Sequence, residues 1–281
     1  MKLANLDGRA ALVLGEGAAD LERASGGRFP ADPMQALRSL EALRDWAAGL
    51  GPGAAEAPLD ETRLGPPVPR PAKVFGIGLN YRAHAVEAGL EIPKVPMVFT
   101  KFPTCLAGPR ADVVLSDSGA CDYEAELVVV IGRGGRRIPE ARALEHVGGY
   151  CAGQDISDRR LQFADRPPQF SLGKSYDTFG PLGPALVTLD AIADPNDLRL
   201  TCEVSGERLQ DGRTSDMLFP VVAIVAYLSS VCTLEAGDLI FTGTPAGVGS
   251  MRTPRRYLVP GDEIVTTLEG VGRLVNRCRA A

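Results

Sequence analysis

The pattern of apolar and polar positions changes near residue 70. Before it, the alternating run Ala10-Ala11-Leu12-Val13-Leu14 predicts a strand, and apolar residues from Ala36-Leu37 through Leu43 to Trp46-Ala47 predict a helix. Prolines then crowd the stretch from Gly51-Pro52-Gly53 to Pro66-Pro67-Val68-Pro69-Arg70-Pro71. A ring that fixes φ and removes an N–H interrupts helix and ladder alike. The boundary therefore falls between a small N-terminal α/β domain with its linker, residues 1–68, and a larger domain, residues 69–281.

The larger part reads as ten short β-rich runs punctuated by Gly and Pro, among them Lys73–Leu79, Pro96–Thr100, Tyr123–Ile131, Gly149–Gln154, Asp238–Thr242 and Glu263–Leu268. Val204-Ser205-Gly206-Glu207 has the composition of a hairpin turn. Helices are predicted over Pro139–His146, over Pro220–Val231 with apolar residues at 221, 222, 225 and 228, and over Asn80–Gly89. Strands and helices do not alternate regularly, which argues against a doubly wound sheet or an eightfold barrel. The expected class is α+β, β-dominated and curled.

Composition narrows the function. Thirty basic residues against 35 acidic ones give a net charge of −5 without a basic run, so nucleic acid is a poor partner. The longest apolar segment, Phe219 to Val231, is too short to span a bilayer, and Asp7 precedes any apolar run of leader length. A cytoplasmic protein is expected. Six cysteines (105, 121, 151, 202, 232 and 278) are scattered without a C-x-x-C pair, which suits free thiols in a reducing compartment.

The candidate chemistry is acidic. In Asp122-Tyr123-Glu124-Ala125-Glu126-Leu127, alternate residues share one face of the predicted strand, so three carboxylates would crowd together ahead of an unbroken apolar run. Burying them together is unfavourable. A divalent cation relieves the repulsion, and oxygen-only ligands favour Mg²⁺ or Mn²⁺. Asp155, at the end of another short strand, suits either a third ligand or a helix N-cap. His84 and Glu87 stand three apart in a predicted helix and can form a base dyad or a plain surface contact. Lys174, in Gly173-Lys174-Ser175-Tyr176, is placed to partner a carboxylate or an oxyanion. Pro168 occupies the position where a phosphate-binding P-loop needs glycine. The turn Thr242-Gly243-Thr244-Pro245-Ala246-Gly247-Val248-Gly249 can aim backbone N–H groups at an anion.

Five ordered motifs, N-Y-x-x-H-x-x-E from Asn80, D-Y-E-x-E-L from Asp122, Q-D-I-S-x-R-x-x-Q from Gln154, G-K-S-Y-D-T-F-G-P from Gly173 and T-G-T-P-A-G-V-G from Thr242, resemble the fumarylacetoacetate hydrolase family from about Lys73 to Arg277. The resemblance implies a mixed β-roll catalytic domain, a homodimer, and one Mg²⁺ or Mn²⁺ per subunit held by Glu124, Glu126 and Asp155. It makes His84 and Glu87 the water-activating dyad and Lys174 the lysine beside the metal. Arg159, Gln162, Thr244 and the adjacent Gly243 become substrate contacts, with Asp122 outside the ligand set. The activity it implies is hydrolysis of a C–C bond in a 2,4-dioxo acid, of acylpyruvate or deoxy-sugar-acid type. Isomerisation, decarboxylation of an oxaloacetate-like acid, and a metal-binding scaffold without turnover remain the alternatives.

Overall fold

The computed structural model describes residues 1–281. Two sheets enclose the main core. The larger has twelve strands, and its central order runs Lys2–Leu6, Gly180–Val187, Val147–Gln154, Ala125–Ile131, Leu239–Phe241, Val74–Gly78, Met97–Thr100. The smaller orders Glu207–Arg213, Arg199–Val204, Glu263–Leu268, Gly272–Arg279 and Val113–Val114. Pairing is mostly antiparallel, but Leu239–Phe241 runs parallel to Val74–Gly78. The result is the mixed, β-dominated α+β architecture.

The Ala125–Ile131 strand explains why its sequence is continuously apolar. Leu127, Val129 and Ile131 join a 37-residue core between the sheets. Val128 and Val130 join an 18-residue cluster on the opposite face, together with Leu37, Leu40 and Leu43 of the N-terminal helices. A strand covered on both faces has no reason to alternate. Lys2–Leu6 hydrogen-bonds to the Gly180–Val187 strand, so the N-terminal hairpin extends the large sheet.

Several predicted elements change on folding. The expected strand over Tyr123–Ile131 starts only at Ala125. Cys121–Asp122 pairs instead with Ser157–Asp158, and the Glu124 N–H donates to the Gln154 side chain. The predicted helix over Asn80–Gly89 is shorter, Arg82–Glu87. The Asn80 side chain makes non-helical bonds to Phe219 and Thr242, and this competition keeps it out of the helix. Glu140–His146 winds as tighter 3₁₀ turns, and the predicted helix through Ala47 splits into Pro33–Leu37 and Leu40–Ala47. Ser205 and Gly206 both take positive φ, as the hairpin turn requires. No helix is long and apolar enough to cross a membrane.

Candidate active site

Three carboxylates converge where the Ala125–Ile131 and Val147–Gln154 strands end. Glu124, Glu126 and Asp155 each offer an oxygen, all within 4.8 Å of one another, and all three residues are buried. Asp122 is not part of this group. The strand break at Tyr123 separates it, and it accepts instead from Gly249 N–H at 2.7 Å, Ser250 N–H at 3.0 Å and Arg159 Nε at 2.8 Å. The expectation that Asp122, Glu124 and Glu126 share one strand face is corrected by that break.

Buried cations surround the cluster. Lys174 Nζ donates to Glu124, Asp155 and Ser157, each at 2.7 Å, which uses all three of its protons. Arg159 donates to Glu124 at 2.6 Å and to Gln162 Oε1 at 2.9 Å. The choice left open for Asp155 resolves toward the cluster, because Asp158 caps the Arg159–Gln162 helix. Lys101, fully buried, donates to Asp155 at 2.8 Å and to the Lys174 and Phe179 carbonyls. Its sequence setting, Thr100-Lys101-Phe102 at the end of an edge strand, gives no sign of this burial. Only the fold brings it to Asp155.

The charges do not balance. Asp122, Glu124, Glu126 and Asp155 face three cations, Lys101, Arg159 and Lys174. Burial pushes the Glu124 carboxyl up, but Lys174 and Arg159 outweigh it and hold the group well below the usual range. Glu126 lacks such partners. Burial, then Asp155 and Glu124, push its carboxyl well above the usual value, opposed by Lys174 and by the Gly243 N–H it accepts at 2.7 Å. Burial would lower Lys174, but Asp155 and Glu124 raise it, so it stays charged. An under-neutralised, oxygen-only set fits a hard divalent cation.

The glycine-rich turn does aim N–H groups at anions, and those anions are the protein's own carboxylates. Gly243 serves Glu126, Gly247 serves Glu87 at 2.9 Å, and Gly249 serves Asp122. Gly243 has φ +99°, and a Cβ there would lie 2.8 Å from the Asn80 Cβ. Gly247 has φ +107°, and its Cβ would lie 2.0 Å from the Leu209 carbonyl oxygen. Thr244 Oγ1 donates to the Ala125 carbonyl and accepts from Gln210, so it braces the first turn of the ligand strand.

The Arg82–Glu87 helix supplies the other half. His84 Nδ1 lies 2.7 Å from Glu87, which fixes the ring so that Nδ1–H donates and Nε2 is free. His84, Glu124, Glu126, Arg159, Gln162, Lys174 and Thr244 all line one cavity of about 450 Å³. The Tyr81 hydroxyl is buried without a partner. Burial, then the Glu126 charge, holds its proton on well beyond the usual range.

The fumarylacetoacetate hydrolase C-terminal family profile matches residues 73–279, the span that carries every one of these groups. The chain belongs to the fumarylacetoacetate hydrolase family. It is 42% identical over 221 residues to human "Oxaloacetate tautomerase FAHD2A, mitochondrial", covering 78% of this chain and 70% of that one. A Dictyostelium discoideum fumarylacetoacetate hydrolase domain-containing protein 2 homolog is 40% identical over 232 residues, covering 79% and 76%. A candidate HpcE protein from Mycobacterium smegmatis has a similar structure, with TM-score 0.92, 48% identity and full coverage of both chains. Maleylpyruvate hydrolase from Sphingobium sp. SYK-6, solved with manganese(II) and pyruvate, matches with TM-score 0.83 and 30% identity, again over both whole chains. Members of the family are thus hydrolases, isomerases and a tautomerase built on one fold, and a divalent cation is consistent with the acidic triad.

Proposed function

We propose that this chain hydrolyses the C3–C4 bond of a 2,4-dioxo acid, giving a 2-oxo acid and a carboxylic acid. The observation that carries the reading is His84, held by Glu87 at 2.7 Å, facing the same cavity as Glu124 and Glu126 of the acidic triad. Glu124, Glu126 and Asp155 would hold Mg²⁺ or Mn²⁺, which when bound supplies Lewis-acid stabilisation of the enolate set free by cleavage.

The chain's own residues do the rest. Gln162 Oε1 accepts from Arg159, which leaves its NH₂ group for the substrate carboxylate. The Arg159 guanidinium behind it adds positive charge. His84 Nε2 takes a proton from the water that attacks the C4 carbonyl. As the C3–C4 bond breaks, its electron pair becomes the enolate, and the same proton returns to C3. All three Lys174 donors are engaged, by Glu124, Asp155 and Ser157, so its effect on the developing oxyanion is that of a buried positive charge. Preorganised stabilisation of this kind contributes about 3 kcal/mol.

A second reading, proton transfer on or decarboxylation of oxaloacetate, draws support from the likeness to the human tautomerase. It uses the same base without the attacking water. A panel of 2,4-dioxo acids and oxaloacetate, assayed with Mn²⁺ and again with EDTA, separates the two. Cleavage products from the dioxo acids support hydrolysis; tautomerisation or CO₂ release without any cleavage refutes it. The reading also takes the chain as a cytoplasmic homodimer without nucleic-acid or membrane partners. The net charge of −5 and the exposed Val95, Val98 and Phe102 beside the edge strand support that, and light scattering measures the oligomer.

A further inference from the structure

A second set of polar groups lies beside the acidic triad, outside the cavity lining. On the small sheet, Gln210 pairs across to Cys202 and Cys202 to Thr266, so one polar row crosses three strands. All three residues are buried, at 1% exposure or less. Leu200 and Val204, and Ile264 and Leu268, which share their strand faces with Cys202 and Thr266, belong to the apolar core. Polar side chains in such a place cost desolvation unless every group is bonded.

They are bonded, and the bonds end on the segment that carries the carboxylates. Gln154, fully buried at the end of its strand in the large sheet, accepts the Glu124 N–H at 3.0 Å. Both its amide protons cross to the small sheet, to Thr266 Oγ1 at 2.8 Å and Cys202 Sγ at 3.3 Å. Gln210 reaches the other way. Its Oε1 accepts the Ala125 N–H at 2.9 Å, and its Nε2 donates to Thr244 Oγ1 at 2.7 Å and to the Pro245 carbonyl at 2.9 Å. It thereby also holds the loop whose Gly243 N–H meets Glu126. At the strand break, two consecutive peptide N–H groups bond to side chains instead of a neighbouring strand, and each side chain is anchored at its far end.

We infer that Gln154 and Gln210 are positioning residues for the metal site: through these two amides the small sheet fixes the spacing of the Glu124 and Glu126 carboxylates, and so the size of cation they accept. Neither glutamine belongs to the ligand set; both act through the backbone of Glu124 and Ala125. A fixed spacing suits Mg²⁺, which demands near-octahedral geometry, over Ca²⁺, which takes longer and less regular contacts. Loosening it therefore penalises Mg²⁺ more than Ca²⁺. This inference rests on the reading of Glu124, Glu126 and Asp155 as cation ligands.

Cation binding tests it without turnover. Calorimetry with Mg²⁺ and with Ca²⁺ compares the unaltered protein with Gln154→Met, Gln210→Met and Val225→Ala, a truncation of the buried core in the Val221–Val231 helix. Urea unfolding is measured on each. The methionine changes keep side-chain length and remove the acceptor. Mg²⁺ affinity should fall about 10–100-fold in both, and Ca²⁺ affinity should fall less. Val225→Ala should lose stability and keep both affinities. Should the methionine variants fail to fold, Thr266→Val, which removes only the hydroxyl that anchors Gln154, should give the same shift toward Ca²⁺ at smaller size. No shift in any of these three variants that folds, or an equal loss for both cations, overturns the inference. So does an equal shift in Val225→Ala. If the unaltered protein binds neither cation, the metal reading falls and takes this one with it; binding that ignores both glutamines removes this inference alone.

Discussion

Glu126 and Glu87 accept a hydrogen bond from the same glycine-rich loop, through Gly243 and Gly247, yet they belong to regions of opposite character. Glu126 sits at 2% exposure on a strand covered on both faces, inside a lattice of buried ion pairs. Glu87 closes a six-residue helix, and Val86 and Leu90 beside it are 71% and 54% exposed. The floor is held by packing and charge. The Arg82–Glu87 helix, which forms the lid, is anchored on one side by buried Asn80, Tyr81 and Ala85 and by the Gly247 contact, and is open on the other. A helix with one open face has fewer apolar contacts to lose than the floor. The difference teaches that the proposed metal-holding and base functions lie in regions of different rigidity although one loop touches both.

That difference can be tested by substitutions on each side. The largest effect is expected at the floor, where Glu126→Gln should reduce Mn²⁺ affinity, read by calorimetry, by more than the roughly 10–100-fold that loss of an outer partner produces. On the lid, His84→Ala should lower turnover about 10²–10⁴-fold and leave Mn²⁺ affinity unchanged. Unchanged turnover in that variant would end its assignment as the base. Lys101→Met should move both stability and metal binding. Removing one partner of a buried pair costs about 3–5 kcal/mol, seen in urea unfolding, and Mn²⁺ affinity should change as Asp155 keeps Lys174 but loses the second of its two cation partners. If only stability moves, Lys101 is a folding residue alone.

The smallest effect should lie away from both regions, at Asp262. Burial raises this carboxyl, but Arg256 at 2.7 Å, the Val259 N–H and Ser205 bring it below its usual value. A lowered group stabilises the fold above its unfolded value and loses that contribution as pH falls through its folded value. Asp262→Asn should therefore cost about 1–3 kcal/mol at pH 7, with the gap to the unaltered protein closing below about pH 4. A gap that persists undiminished at pH 3 would show that the carboxylate charge is not what matters there.

Legibility from sequence followed the same division. Spacing paired Glu124 with Glu126 and His84 with Glu87, while the family resemblance supplied their roles and that of Asp155; the fold brings the three carboxylates together and sets His84 against Glu87. Lys101 was illegible, because its role depends on a neighbour 54 residues away and its own surroundings look like an exposed strand end. The glycine-rich turn was legible as an anion cradle, but not its occupants, because long-range packing decides which carboxylates arrive. Strand ends were misjudged at Tyr123, where side-chain bonds from Gln154 replace the ladder. The N-terminal strands Lys2–Leu6 and Gly17–Asp20 carried too few residues for a clear period.

The claim on which most depends is that one divalent ion sits among Glu124, Glu126 and Asp155. Electron paramagnetic resonance of EDTA-stripped protein titrated with Mn²⁺ examines it without reference to any substrate. One ion should be taken up per chain, with its uptake abolished in Glu126→Gln and preserved in His84→Ala. Free Mn²⁺ signal throughout the titration, or equal uptake by all three proteins, would contradict the account.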